Sequence, residues 1–212
     1  AVTDQVILIG APYARSPCAG RGRGPRSGTV FTFDTSSLTQ REKLNPADGT
    51  TGDNFGRAVA AYDIPGGISQ LFVGSPRAAV ALGMNNIGAV YRIEHLNGMT
   101  TSPWPSRTLG PTDRRSIMGG GAEFGSALSA DGHSGLVLVG AIRTSGPKGL
   151  RSGSAELIRF PAGTTPTLAN VDAGNRTFWG VDSNPEDAFG SAVALNGAGV
   201  AIVASGKHDH KY

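Results

Sequence analysis

Three groups of residues in this 212-residue chain have types and spacings that chemistry uses. The carboxylates Glu42 with Asp48, and Asp182 with Glu186 and Asp187, are pairings of the residue types that glycoside hydrolysis uses as acid and partner. The chain has four histidines, His95, His133, His208 and His210, and the segment "KHDHKY" at 207 to 212 offers two imidazoles and a carboxylate to a metal ion. The stretch "ARSPCAGRGRGPRSG", 14 to 28, gathers arginines that suit phosphate, sulfate or acidic glycans.

Each group has a plainer reading. The carboxylates sit in polar connections without the apolar surroundings that would raise one pKa. The sequence holds no Gly-x-Ser-x-Gly elbow, no His-Glu-x-x-His, no phosphate loop and no cysteine pair for zinc. Catalysis is therefore not expected. His133 falls in a turn, where solvent reaches it, and "KHDHKY" reads as a loop. The arginine-rich stretch lacks the interleaved aromatics on which nucleic-acid bases stack, so nucleic acid is not an expected partner. Cys18 is the sole cysteine and cannot form a disulfide within the chain. Asn175 opens an "NRT" glycosylation sequon, which matters only in a secreted eukaryotic protein.

The elements that must position these residues announce themselves by repetition. "DNFGRAVAAYDIPGGISQLFVGSP" from Asp53, "AEFGSALSADGHSGLVLVGAI" from Ala122 and "DAFGSAVALNGAGVAIVASG" from Asp187 share a Phe-Gly pair, a Gly-containing turn and a second apolar run. Phe55, Phe124 and Phe189 are spaced by 69 and 65 residues, and Gly10, Gly74 and Gly140 by 64 and 66. A third marker keeps the same order, in "GTVFTF" from Gly28, "GAVYRI" from Gly88 and "GSAELI" from Gly153. Shared period and shared order make this a structural repeat.

Each unit reads as several short strands. In the second unit these are 56 to 63, 69 to 75, 88 to 96 and a weaker fourth at 105 to 110, and nothing has the period or length of a helix. Apolar clumps of four to six residues are too short to span a membrane as helices, so direct membrane insertion is not expected. The 32 glycines follow no Gly-X-Y period and point to frequent tight turns. A four-stranded sheet that is apolar on both faces needs a neighbour on each, which radial stacking provides. Small residues after each Phe-Gly pair suit the crowded innermost strand, and the phenylalanines suit wedges between sheets. The expectation is all-β: a β-propeller of ~65-residue, four-stranded antiparallel blades, here a partial ring of two full blades and two partial ones. The divisions are 1–54 for the later strands of a partial blade, 55–115 and 116–180 for blades, and 181–212 for the opening strands of another. Two raw blade faces further imply a fragment of a longer chain, with ring assembly from several copies as the alternative.

Phe55-Gly56 with Gly74-Ser75-Pro76, Phe124-Gly125 with Gly140-Ala141, Phe189-Gly190, and the leading Gly10-Ala11-Pro12 resemble the FG-GAP repeat. That is the blade unit of the integrin α-subunit propeller, and "FGSALSADGHSGLVLVGA" is similar to its bacterial and protist branch. The last copy departs, with Ala204-Ser205-Gly206 in place of Gly-Ala-Pro. The resemblance implies a seven-bladed ring in most members and, in many, a calcium loop between the first two strands of a blade. The turns here, from Asp63, Asp131 and Asn196, hold at most one carboxylate each, too few for the six to eight oxygens calcium takes. No cofactor is expected in this segment, and calcium is left to blades outside it.

The function implied is a non-catalytic, extracellular or cell-surface module that binds protein or acidic glycan, or remaining blades and neighbouring copies. The connections after each second strand must leave on one side. Arg15, Arg21, Arg23, Arg26, Arg77, Arg143, Lys148 and Arg151 would make that side basic. Two further readings are a lectin using Trp104 or Trp179 as a platform and an accessory module of a larger secreted enzyme.

Overall fold

A computed structural model describes residues 1–15, 26–46, 49–66, 68–79, 86–96, 106–109, 114–115, 121–159 and 176–206. Among them every regular element is a strand: β1 (Val6–Ala11), β2 (Thr29–Asp34), β3 (Gln40–Pro46), β4 (Ala58–Ile64), β5 (Ile68–Ser75), β6 (Ala89–Leu96) and β7 (Ser106–Leu109), then β8 (Arg114–Arg115), β9 (Phe124–Asp131), β10 (Leu136–Ala141), β11 (Ser154–Arg159), β12 (Arg176–Phe178), β13 (Phe189–Leu195) and β14 (Ala201–Ser205). They form four small sheets, ordered β1-β2-β3-β7, β4-β5-β6-β8, β9-β10-β11-β12 and β13-β14. The second and third are simple antiparallel meanders, in which each strand pairs with the one before it.

The repeat is visible in the register. Ala58 pairs with Gly74, Ala127 with Gly140 and Ala192 with Ala204, so the three Phe-Gly strands align residue for residue against their partners. In the first sheet β1 takes the place of β5 and β10. Its inner neighbour is a short piece at residues 1 to 3, held by a Val2–Ile7 bridge and by hydrogen bonds between Ala1 and Leu8.

One pairing differs from the sequence reading. The strand expected at 105 to 110 forms at 106 to 109, but it leaves its own sheet and pairs parallel with β3, Lys43 opposite Ser106 through Pro46 opposite Leu109. Its place beside β6 is taken by Arg114 and Arg115. Four residues with no alternating pattern specify register weakly, so nothing in "PSRTLG" names its partner.

Alternation sorts side chains to the two faces of each sheet, and both faces are buried where a neighbour lies beside them. Val6, Leu8, Val30 and Leu44 of the first sheet pack with Phe55, Leu71, Val73, Tyr91 and Ile93 of the second. Ala60, Tyr62, Phe72 and Val90 from the opposite face of that second sheet pack with Phe124, Val137, Val139 and Ile158 of the third. Phe55 meets Tyr91 edge-on at 5.2 Å between ring centres. Each such side chain gains about 1.5–3 kcal/mol from full burial, which neither sheet would realise alone.

Backbone contacts fasten one sheet to the next. The amide N–H of Phe55 donates to the Ser27 carbonyl at 2.8 Å, that of Phe124 to Ile87 at 2.9 Å, and that of Phe189 to Ser152 at 2.9 Å. Each makes an isolated parallel bridge, to Gly28, Gly88 and Gly153 in turn. Side chains are excluded by distance: a methyl group on Gly10 would stand 2.0 Å from the Gly56 carbonyl oxygen, on Gly74 2.1 Å from that of Gly125, and on Gly140 2.0 Å from that of Gly190. The approaching glycine has φ of +87° at Gly56 and +89° at Gly125, a backbone that side chains resist. The Phe-Gly pair and the strand-end glycine are thus two halves of one joint, which explains why they recur together.

Candidate functional site

Two regions bring chemistry-bearing side chains together, one at each end of the sheets. At the joint end, the connections after β1, β5 and β10 depart and return by the same hydrogen bond, Gly28 N–H to the Ala14 carbonyl, Gly88 to Ala78 and Gly153 to Thr144, at 3.0 to 3.1 Å. Each connection returns against the next Phe-Gly pair, since Phe55 bridges to Gly28 and Phe124 to Gly88.

Arg15, Arg26, Arg77, Arg143, Lys148 and Arg151 are exposed there, while Arg21, Arg23, Cys18, Asn175, Trp104, His208 and His210 lie outside the described residues. Several cations already hold partners. Glu123, nearly buried, lies 3.8 Å from the Arg77 Nε and 3.5 Å from the Arg143 Nε, so one carboxylate serves two connections. Arg151 pairs with Glu186 at 3.4 Å, and the Lys148 ammonium donates to the Val181 carbonyl. The basic side expected from sequence is therefore offset at its centre. Glu123 could not be foreseen as the neutralising group, because a Glu beside a Phe-Gly pair has no sequence pattern that pairs it with distant arginines. Trp179 lies against Gly146 in the connection after β10, where a methyl group would come within 2.2 Å of the indole.

At the opposite end, the second and third sheets leave a cleft of about 440 Å³, lined by Tyr62, Ile64, Pro65, Gln70 and Arg92 on one side and Gly132, His133, Ser134, Gly135 and Arg159 on the other. Its floor is a polar network inside an otherwise apolar face. The Arg92 Nε donates to Gln70 Oε1 at 2.7 Å, and the same guanidinium and the Gln70 amide both donate to Glu94 Oε1, at 2.8 and 3.1 Å. Arg92 is 6% and Gln70 1% exposed, so the guanidinium charge is held by these acceptors rather than by water. Burial pushes the Tyr62 hydroxyl upward in pKa, which keeps it a neutral donor. Hydrogen bonds from the Ser134 hydroxyl hold Asp131 below the usual carboxylate range, and its oxygens also take the Ser134 and His133 amides. That carboxylate closes its own turn. Asp63 likewise accepts from the Asp4 amide at 2.8 Å and from the Ser69 hydroxyl at 2.5 Å, and Asn196 from two amides of its turn.

Sequence reading placed His133 in its turn but missed the rest of this cleft. A signal was present: Gln70 and Arg92 interrupt the apolar runs "SQLFVGS" and "GAVYRI" at positions facing the third sheet. Buried polar residues inside apolar strands are the informative exception. Among the described residues no group of three or more His, Cys, Asp or Glu is placed to hold a metal ion, and no helix is long and apolar enough to cross a membrane. No protein-family model matches the chain, and no curated protein matches it.

Proposed function

We propose that the chain is part of a β-propeller of the FG-GAP kind and works as a non-catalytic binding module, extracellular or at a cell surface, for protein or acidic glycan. The observation that carries this reading is the joint repeated three times, with its Phe amide on the preceding sheet and its glycine carbonyl against a strand-end glycine. A fixed step from sheet to sheet, applied again and again, builds a ring or part of one. It also makes a rigid frame whose connections after β1, β5 and β10 leave at one end, the arrangement in which loops bind partners.

Acidic partners fit the cations at that end. Arg15 and Arg26 flank the longest connection, and the stretch between them adds Arg21 and Arg23. Replacing these four arginines by serine is expected to weaken binding to an immobilised sulfated or uronic-acid polysaccharide at least tenfold and to flatten its salt dependence. Equal binding and equal salt slope in the variant would remove the acidic-partner reading.

A further inference from the structure

The floor of the cleft between the second and third sheets breaks the repeat. By register, Gln70 stands where Val6 and Leu136 stand in the first and third sheets, and Arg92 where Thr32 and Leu157 stand. Those two sheets form without a guanidinium at that level, so the architecture does not call for one. Taking that charge out of water costs free energy that its acceptors Gln70 and Glu94 serve to offset.

Tyr62 adds an independent sign. It is 8% exposed, and its ring packs on Phe72 with 5.6 Å between centres. Its hydroxyl nevertheless takes no hydrogen-bond partner among the described residues and is not sealed inside the protein. Nearly buried hydroxyls are ordinarily satisfied, and the space this residue lines is the cleft. The opposite wall is held close by a bare backbone: a methyl group on Gly132 would stand 3.0 Å from the Tyr62 Cβ.

The lining selects the ligand. Arg92, Arg159 and His133 line the cleft, and among the described residues no aspartate or glutamate does. The carboxylates on the same elements are engaged, Asp63 by the Asp4 amide and the Ser69 hydroxyl, Glu94 by Gln70 and Arg92, and Asp131 by its own turn. Ile64 and Pro65 add an apolar wall. The volume of about 440 Å³ falls within the range of small-molecule sites, roughly 300–1,000 Å³.

We propose that this cleft binds a small organic carboxylate, with its head at the Tyr62 hydroxyl in the positive field of the lining and its apolar body against Ile64 and Pro65. A carboxylate accepts from a neutral phenol and gains from nearby cations. The site lies at the end of the sheets opposite the connections and is independent of the binding role given to the cations there.

Benzoate is the probe and benzamide its uncharged counterpart, each followed by ligand-observed NMR titration. Benzoate is expected to bind with Kd at or below about 1 mM, and benzamide at least tenfold more weakly. Tyr62→Phe keeps the ring and its packing and removes only the hydroxyl. It is expected to weaken benzoate about tenfold, as for a hydrogen bond to a charged group, with an unchanged thermal melt. The variant with serine at Arg15, Arg21, Arg23 and Arg26 is expected to bind benzoate as the unsubstituted chain does, which separates this site from the connections. Absence of benzoate binding, equal binding of benzamide, an unchanged affinity in Tyr62→Phe, or loss of binding in the four-arginine variant would each overturn the proposal.

Discussion

The joint between the second and third sheets and the open face of the fourth sheet use the same sequence pattern and end in opposite states. Phe124 is fully buried and Leu138 is too; Phe189, at the same repeat position, is half-buried, and Ile202 is exposed. The Phe-Gly strands and their register are alike in both. What differs is the cover: the third sheet has four strands and lies beside two other sheets, whereas the fourth has two strands among the described residues. Burial in this molecule therefore depends on neighbouring strands and sheets rather than on the repeated pattern alone, as expected for units that cannot cover their own apolar faces.

That comparison breaks first at its phenylalanines. Phe124→Ala is expected to cost about 3–5 kcal/mol, as for large core truncations, and Phe189→Ala less than half as much, read by chemical denaturation. Equal costs would mean that burial of Phe124 between sheets contributes little. Next comes the glycine contact. Gly140→Ala should cost about 3 kcal/mol, near the top of the overpacking range, because the added methyl meets backbone that cannot rotate away. Ala204→Gly should cost under about 1 kcal/mol, the ordinary glycine penalty in a strand. A tolerated Gly140→Ala would remove the steric account of the joint.

The cleft tests the other end of the same pair of sheets. Arg92→Met is expected to destabilise by about 1–2 kcal/mol, since it strands the Gln70 oxygen in a buried face. The double change Arg92→Met with Gln70→Leu should recover part of that loss, and a double that is merely additive would show the two residues to be uncoupled. The smallest effect lies at the exposed turn after β2. The Ser36 hydroxyl, the Ser37 amide and the Arg41 guanidinium hold Asp34 well below the usual carboxylate range. A depressed folded pKa contributes stability above the unfolded value and loses it as pH falls through that value toward the folded one. The melting temperature should therefore drop slightly below about pH 4, and Asp34→Asn should remove that part of the acid response while lowering stability at pH 7.

The strands and the repeat were legible because they rest on local pattern: Phe-Gly, a Gly turn and alternating apolar residues recur at one period. The pairing partner of β7 was not, since four residues without alternation carry no register. The site was legible by halves. The arginines of the connections were named from composition, but their neutralisation by Glu123 depends on Arg77 and Arg143, 66 residues apart, arriving at one carboxylate. The cleft needed the facing of β4, β5 and β6 against a turn in another sheet, which no single window of sequence contains.

The three amide protons that Phe55, Phe124 and Phe189 lend to the preceding sheet are also clocks. Each exchanges with solvent deuterium only when its own pair of sheets parts, so one experiment ranks the partings along the row. The slowest marks the joint that is hardest to open, and the order of the other two ranks the remaining joints by the free energy of parting.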